Sequence, residues 1–170
     1  IDLNLQALGE RLMEGKIGSI VAIEPKTGEV LAMVSAPSYD PRIMVGRSRG
    51  KNHRLLQQDL WKPLLNRSIM GMYPPGSTFK TSQALTYMSE GIITPGSAFP
   101  CHHGFTYRGL HVGCHSHSSP IALVDAISTS CNAYFCWGLY YMMGNRRKYH
   151  NVQDAMSMWR DYMVSMGFGY

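Results

Sequence analysis

Apolar residues recur at helical spacing from Asp2 to Glu14, with Leu5, Leu8, Leu12 and Met13 on one face and Asp2 or Asn4 available as cap. Gly15 and Gly18 end that segment. The β-branched run Ser19–Ile23, the turn Pro25–Gly28 and the run Glu29–Ser35 predict a β-hairpin. Pro37 and Pro41 then break regular structure. Residues 42–54 read as a solvated, flexible basic loop, and 55–65 has some helical character, broken by Pro63. A helix is predicted from Ser77 to Glu90, with Leu85 and Met88 on its apolar face. Ile92–Ser119 is rich in Gly, His and Cys and has no period, which is unusual inside a compact domain unless the stretch is functional or braced. Helices are predicted over 120–128 with Pro120 near the first position, over the aromatic-rich 132–143, and over 152–166, where Ala155, Met158, Trp159, Tyr162 and Met163 keep helical spacing. Runs of helix beside one hairpin give an α+β class.

Composition narrows this picture only slightly. The 170 residues suffice for one domain with a real core, and 45% hydrophobic against 16% charged is a globular balance. The net charge of +5 is mild, and the basic run Arg42–Arg54 has no interleaved aromatic platform, so nucleic acid is not an expected partner. No apolar run approaches the ~18–20 residues of a membrane span. No signal peptide is evident, and both ends read as cut from a longer protein.

The chemistry concentrates in Tyr73-Pro74-Pro75-Gly76-Ser77-Thr78-Phe79-Lys80. Two prolines and a glycine break the chain just before Ser77. On a helix, Ser77 and Lys80 at i and i+3 share a face, with Cβ atoms about 5–6 Å apart. A lysine held out of water has a lowered pKa and can take the serine proton, and the Ser77 N–H at a helix start can help bind an oxyanion. Ser-x-x-Lys alone is weak, since a capping serine followed by a solvated lysine has the same spelling.

The whole octapeptide resembles the active-serine motif of the penicillin-binding proteins, the D,D-transpeptidases of peptidoglycan synthesis. Ser130-Cys131-Asn132, 53 residues after Ser77 and between two predicted helices, resembles the Ser-x-Asn motif of that family, as does its flank from Ala126 to Phe135. The resemblance implies the transpeptidase fold shared with serine β-lactamases, here as a helical subdomain plus a β-hairpin with an incomplete sheet. It covers nearly all of residues 1–170, read as the N-terminal part of one such domain, and is nearest to the class B, penicillin-binding protein 2-like group. It implies Ser77 as nucleophile, Lys80 as base, Ser130 as proton relay and Asn132 as holder of the lysine and of substrate amide. Stem peptides and β-lactams are the implied ligands and cell-wall elongation proteins the implied partners. No cofactor is implied for the reaction, and the implied location is the periplasmic face of the inner membrane. Lys26-Thr27-Gly28 spells the third motif of the family but precedes Ser77 in a hairpin turn, so it reads as structural. With the third motif absent from the 170 residues, this segment alone is expected to be inactive or severely weakened. Two other readings share the motifs: a serine β-lactamase or β-lactam sensor, and a non-catalytic cell-wall scaffold.

Five of the seven histidines fall between positions 102 and 117, beside Cys101 and Cys114. Cys101, Cys114, His115 and His117 could hold a structural zinc ion. Cys101 and Cys114 could instead form a disulfide, or these residues could be unrelated surface groups. Some relatives of the elongation type hold zinc near this region. Cys131 and Cys136 read mainly as buried structural cysteines, with Cys131 placed to add a further ligand.

Overall fold

The computed structural model describes residues 1–169. They form two compact units, Ile1–Pro74 and Pro75 onward.

The first unit is a helix on a hairpin. Helix α1 (Leu3–Leu12) starts at Asp2, whose Oδ1 accepts from the Asn4 and Leu5 N–H groups at 2.8 and 3.0 Å. Strands β1 (Gly18–Ile23) and β2 (Val30–Ala36) pair antiparallel from Gly18↔Ala36 to Ile23↔Val30, with an irregularity at Ala22/Ile23. Along β2 only Ala32, Val34 and Ala36 are buried, the period of two that a one-sided strand requires. Gly9 lets α1 approach that face: a Cβ there would stand 2.8 Å from Val34 Cγ2. The Gln6 amide bonds both ways to the Met33 backbone, at 3.0 and 2.8 Å, and so occupies part of the free edge of β2. Lys26-Thr27-Gly28 is the turn between the strands, closed by Gly28 N–H to Glu24 C=O with Gly28 at φ +77°.

The basic run is more ordered than its composition suggests. Its second half forms α2 (Arg49–Gln58), and Asn52 Nδ2 donates to Ile43 C=O at 2.7 Å. Arg, Lys, Leu and Gln are strong helix formers, and α2 buries no residue. That is why no apolar stripe announced it. A short α3 (Arg67–Met70) follows, with Ser68 Oγ donating to Val34 C=O at 2.8 Å.

The second unit is helical around a small β insert. A 3-10 turn (Gly76–Phe79) leads directly into α4 (Lys80–Ser89). The aperiodic stretch is not structureless. Strands β4 (Gly104–Tyr107) and β5 (Leu110–Gly113) form a hairpin, and β3 (Ala98–Phe99) pairs with β6 (Ile121–Ala122). These strands are only two to four residues long, too short to show alternation. Pro120 precedes β6, and α5 starts only at Leu123, ending at Ser128. Helices α6 (Asn132–Met143) and α7 (Val152–Ser165) complete the unit.

The core gathers Tyr87 of α4, Ala126 of α5 and Ala133, Tyr134 and Met142 of α6, all fully buried. Helices α4 and α6 meet at Gly138, where a Cβ would fall 2.5 Å from the Tyr87 ring. The far end of α4 is anchored by Glu90, whose side chain is wholly buried and accepts from Lys148 Nζ at 2.6 Å and from the Tyr149 hydroxyl. Burial alone would raise the Glu90 carboxyl, but hydrogen bonds from Lys148 and Tyr149 hold it below its usual value. Among the described residues, no helix is long and apolar enough to cross a membrane.

Candidate active site and thiol cluster

Ser77 sits in the 3-10 turn rather than in the first turn of an α-helix, one residue after Gly76 at φ +59°. It is exposed, whereas Lys80, at the start of α4, is buried. The tighter turn keeps Ser77 and Lys80 on one side, because i and i+3 nearly eclipse at three residues per turn.

Ser130 owes its place to the way α5 stops. Its N–H donates to Ile127 C=O and the Cys131 N–H to Ala126 C=O, at 3.1 and 2.8 Å. This is a Schellman C-cap, and its left-handed position usually holds glycine. Here it holds Ser130, at φ +56°. Strain of roughly 1–3 kcal/mol is accepted for a hydroxyl where glycine would rest easily. One residue later Cys131 caps α6, and Asn132 is the first residue of that helix.

Lys80 Nζ joins the set. It lies 3.2 Å from Ser77 Oγ, 2.9 Å from Ser130 Oγ, 2.7 Å from Ser130 C=O and 2.6 Å from Asn132 Oδ1. Ser130 and Ser77 hydroxyls are 2.7 Å apart. The carbonyl and the amide oxygen can only accept, so both need a hydrogen from Nζ. A neutral amine satisfies both with its two hydrogens and keeps its lone pair for a serine hydroxyl. Burial pushes Lys80 below the ordinary lysine range, against an opposing pull from Cys114, Cys131 and Cys136. Asn132 is itself fixed, its Nδ2 donating to Gly113 C=O at 2.8 Å. The set can therefore deprotonate Ser77, pass a proton between Ser77, Lys80 and Ser130, and hold the amine in place. Sequence reasoning did not find the Gly113 carbonyl, because a backbone acceptor leaves no mark in residue type.

A model of the penicillin-binding protein transpeptidase domain matches residues 18–170. The chain belongs to the penicillin-binding protein transpeptidase family. It is 33% identical to the peptidoglycan D,D-transpeptidase MrdA of Acinetobacter baumannii over 99% of its own length and 24% of that protein. The crystal structure of Pseudomonas aeruginosa PBP2 in complex with WCK 5153 superposes with TM-score 0.79 at 32% identity, covering 99% of this chain and 35% of that one. The PBP2 of Helicobacter pylori in its complex with MreC superposes with TM-score 0.75 at 26% identity, over 92% of this chain and 28% of that one. The chain thus spans about a quarter to a third of the length of these family members. Ser-x-x-Lys and Ser-x-Asn, the family spellings quoted above, are here one hydrogen-bonded group.

The cysteine and histidine cluster is drawn differently from the sequence expectation. Ligand atoms of Cys101, Cys114, His117 and Cys131 all lie within 4.8 Å of one another. His115, the neighbour picked out with His117, is exposed and stands outside the four, and Cys131 takes its place. All four cysteines of the chain are free thiols. Cys114 Sγ accepts from the Asn132 and Ala133 N–H groups at 3.1 Å each, and Cys131 Sγ from Tyr134 N–H at 3.3 Å. The open N–H groups of α6 are thus met by two sulfurs. Burial raises the Cys101 thiol, pushes Cys131 up to about 12 and raises Cys136.

Proposed function

We propose that this segment supplies the nucleophile and proton-transfer groups of a peptidoglycan D,D-transpeptidase. The observation that carries the reading is Lys80 Nζ within hydrogen-bonding distance of Ser77, Ser130 and Asn132 at once. The first half-reaction is acylation. Lys80, as neutral amine, takes the Ser77 proton while Oγ attacks the penultimate D-Ala carbonyl of a stem peptide. The oxyanion draws on the Ser77 N–H. The C–N bond to terminal D-Ala then breaks, Ser130 giving the leaving amine its proton and recovering one from Lys80. An amine on a neighbouring stem reverses these steps and leaves a crosslink. A β-lactam would acylate Ser77 by the same route and stay attached.

The two rivals find less support. A class A type of deacylation needs a placed glutamate. Glu90 is tied to Lys148 and Tyr149 at the other end of α4, some 15 Å from Lys80 by helical rise. A scaffold would have no use for a strained Ser130 where glycine fits. Cell-wall elongation partners are supported by the MreC complex of the H. pylori relative, and the transpeptidase reading implies the periplasmic face of the inner membrane as the location. The test is covalent labelling of the complete protein by a reporter penicillin, with and without Ser77→Ala.

The thiol cluster fits a structural zinc ion. His117 Nδ1 faces Ser118 C=O at 2.8 Å, and a carbonyl can only accept, so Nδ1 carries the hydrogen and Nε2 presents its lone pair. That Nε2 is buried without a partner. Three sulfurs and one imidazole are a tetrahedral zinc set, and a cation reverses the cost of thiolates that burial otherwise keeps protonated. Cys101, Cys114, His117 and Cys131 would hold it, bracing the Ser130–Asn132 loop and taking no part in the acyl transfer. Metal content with thiol counting decides: one zinc per chain, lost in Cys114→Ser, is expected, whereas a metal-free protein with a Cys101–Cys114 disulfide contradicts it.

A further inference from the structure

The middle residue of Ser130-Cys131-Asn132 is a thiol to which the acyl transfer gives no part. Cys131 Sγ lies 3.9 Å from Cys114 Sγ. Both sulfurs hold the start of α6. Cys114 Sγ accepts from the Asn132 and Ala133 N–H groups at 3.1 Å each, and Cys131 Sγ accepts from Tyr134 N–H at 3.3 Å. The last residue of β5, Gly113, supplies a further restraint, its C=O accepting from Asn132 Nδ2 at 2.8 Å. With that bond made, the amide presents Oδ1 to Lys80, 2.6 Å away. Two consecutive residues, Gly113 and Cys114, therefore hold Asn132 by its side chain and by its main chain.

The three thiols of the cluster are not equally open. Cys101 and Cys131 are buried, Cys131 completely, whereas Cys114 is half-buried. An oxidant from solvent therefore meets Cys114 first, with Cys131 behind it to resolve the product. Cys136 is a free thiol outside the cluster.

We propose that Cys114 and Cys131 are a peroxide-oxidised pair whose disulfide draws Asn132 away from Lys80, a proposal that rests on the transpeptidase reading of Ser77. Cys114 Sγ gives up its proton and attacks one oxygen of hydrogen peroxide. The O–O bond breaks, leaving a sulfenic acid on Cys114 and hydroxide, which takes that proton and becomes water. Cys131 Sγ then attacks the sulfenic sulfur, the S–O bond breaks, and the departing hydroxide takes the Cys131 proton as a second water. Two thiols have lost two protons and two electrons, and one peroxide has become two waters. The new S–S bond is about 2.05 Å long, so the sulfurs close by roughly 2 Å. Cys114 Sγ moves off the Asn132 and Ala133 N–H groups and takes Gly113 with it. A misplacement of ~1 Å at a catalytic group costs about a hundredfold in rate. The disulfide also leaves the zinc ion proposed above without two of its sulfurs. A dithiol reverses the change by thiol exchange.

The test exposes the complete, reduced protein to hydrogen peroxide. It reads the disulfide by mass spectrometry of its peptides and the rate of Ser77 labelling by a reporter penicillin. The expected result is a peptide pair joining Cys114 to Cys131, labelling slowed at least about a hundredfold, and recovery of the original rate in dithiothreitol. Recovery separates the disulfide from methionine sulfoxide, which dithiothreitol leaves in place. Cys136→Ser should label and switch as wild type does. A pair other than Cys114 with Cys131, labelling indifferent to the disulfide, or slowing that dithiothreitol does not reverse overturns the proposal. Labelling of the reduced protein reads the transpeptidase assignment by itself, and the peptide map reads the thiol pair by itself, so failure of one is not mistaken for failure of the other.

Discussion

On the proposed reading, Ser130 is a single position where function outweighs local preference. It stands at φ +56° in a helix-terminating motif built for glycine. Ser130→Gly should therefore relieve the roughly 1–3 kcal/mol of strain, partly offset by the greater entropy that glycine loses on folding, and raise stability, read as a higher denaturant midpoint with unchanged slope. The same substitution removes the hydroxyl between Ser77 and Lys80 and should slow acylation of the complete protein by about 10²–10⁴, the usual worth of a placed proton donor. Stability lost together with activity would instead make Ser130 an ordinary structural residue. The four candidate positions, Ser77, Lys80, Ser130 and Asn132, stand out in residue type, because Ser-x-x-Lys and Ser-x-Asn are defined by side chains. Their common meeting point on Lys80 was not, since 50 residues separate Lys80 from Ser130. His115 and His117 are the same residue type two positions apart, and only the fold sets His117 among the three thiols.

At the scale of elements, the site depends on how closely α4 approaches α6. Gly138 gives that approach, facing the fully buried Tyr87 ring. Gly138→Ala puts a methyl where the ring already is, and overpacking of this kind costs about 1–3 kcal/mol. Because α4 carries Lys80 and α6 carries Asn132, the expected result is a lower melting temperature together with slower acylation. Unchanged melting would show that the two helices tolerate a wider separation. The long helices were legible because α1, α6 and α7 are uninterrupted and carry apolar or aromatic positions at helical spacing. The missed elements have physical reasons. Helix α2 buries nothing and so has no stripe. The hairpin β4–β5 has four-residue strands, and what braces it includes Cys114 Sγ and Asn132 Nδ2 rather than a periodic apolar face.

For the whole molecule, the claim is that a serine hydroxyl, a buried amine and a second serine form one proton-transfer group. The sign of its pH dependence follows from Lys80. Burial lowers its pKa, so the neutral base becomes available at lower pH than the ~10.4 of a free lysine. Below the lowered value Lys80 is protonated and cannot accept from Ser77. Acylation should therefore rise with pH and level off before that of an exposed lysine would. The most direct measurement is the rate of covalent labelling by a reporter penicillin on the complete protein across pH, for wild type and Ser77→Ala. The account predicts one adduct on Ser77, a rate that climbs to a plateau below pH ~10.4, and no adduct in Ser77→Ala. An adduct that survives Ser77→Ala, or no adduct on the wild-type protein at any pH, contradicts it.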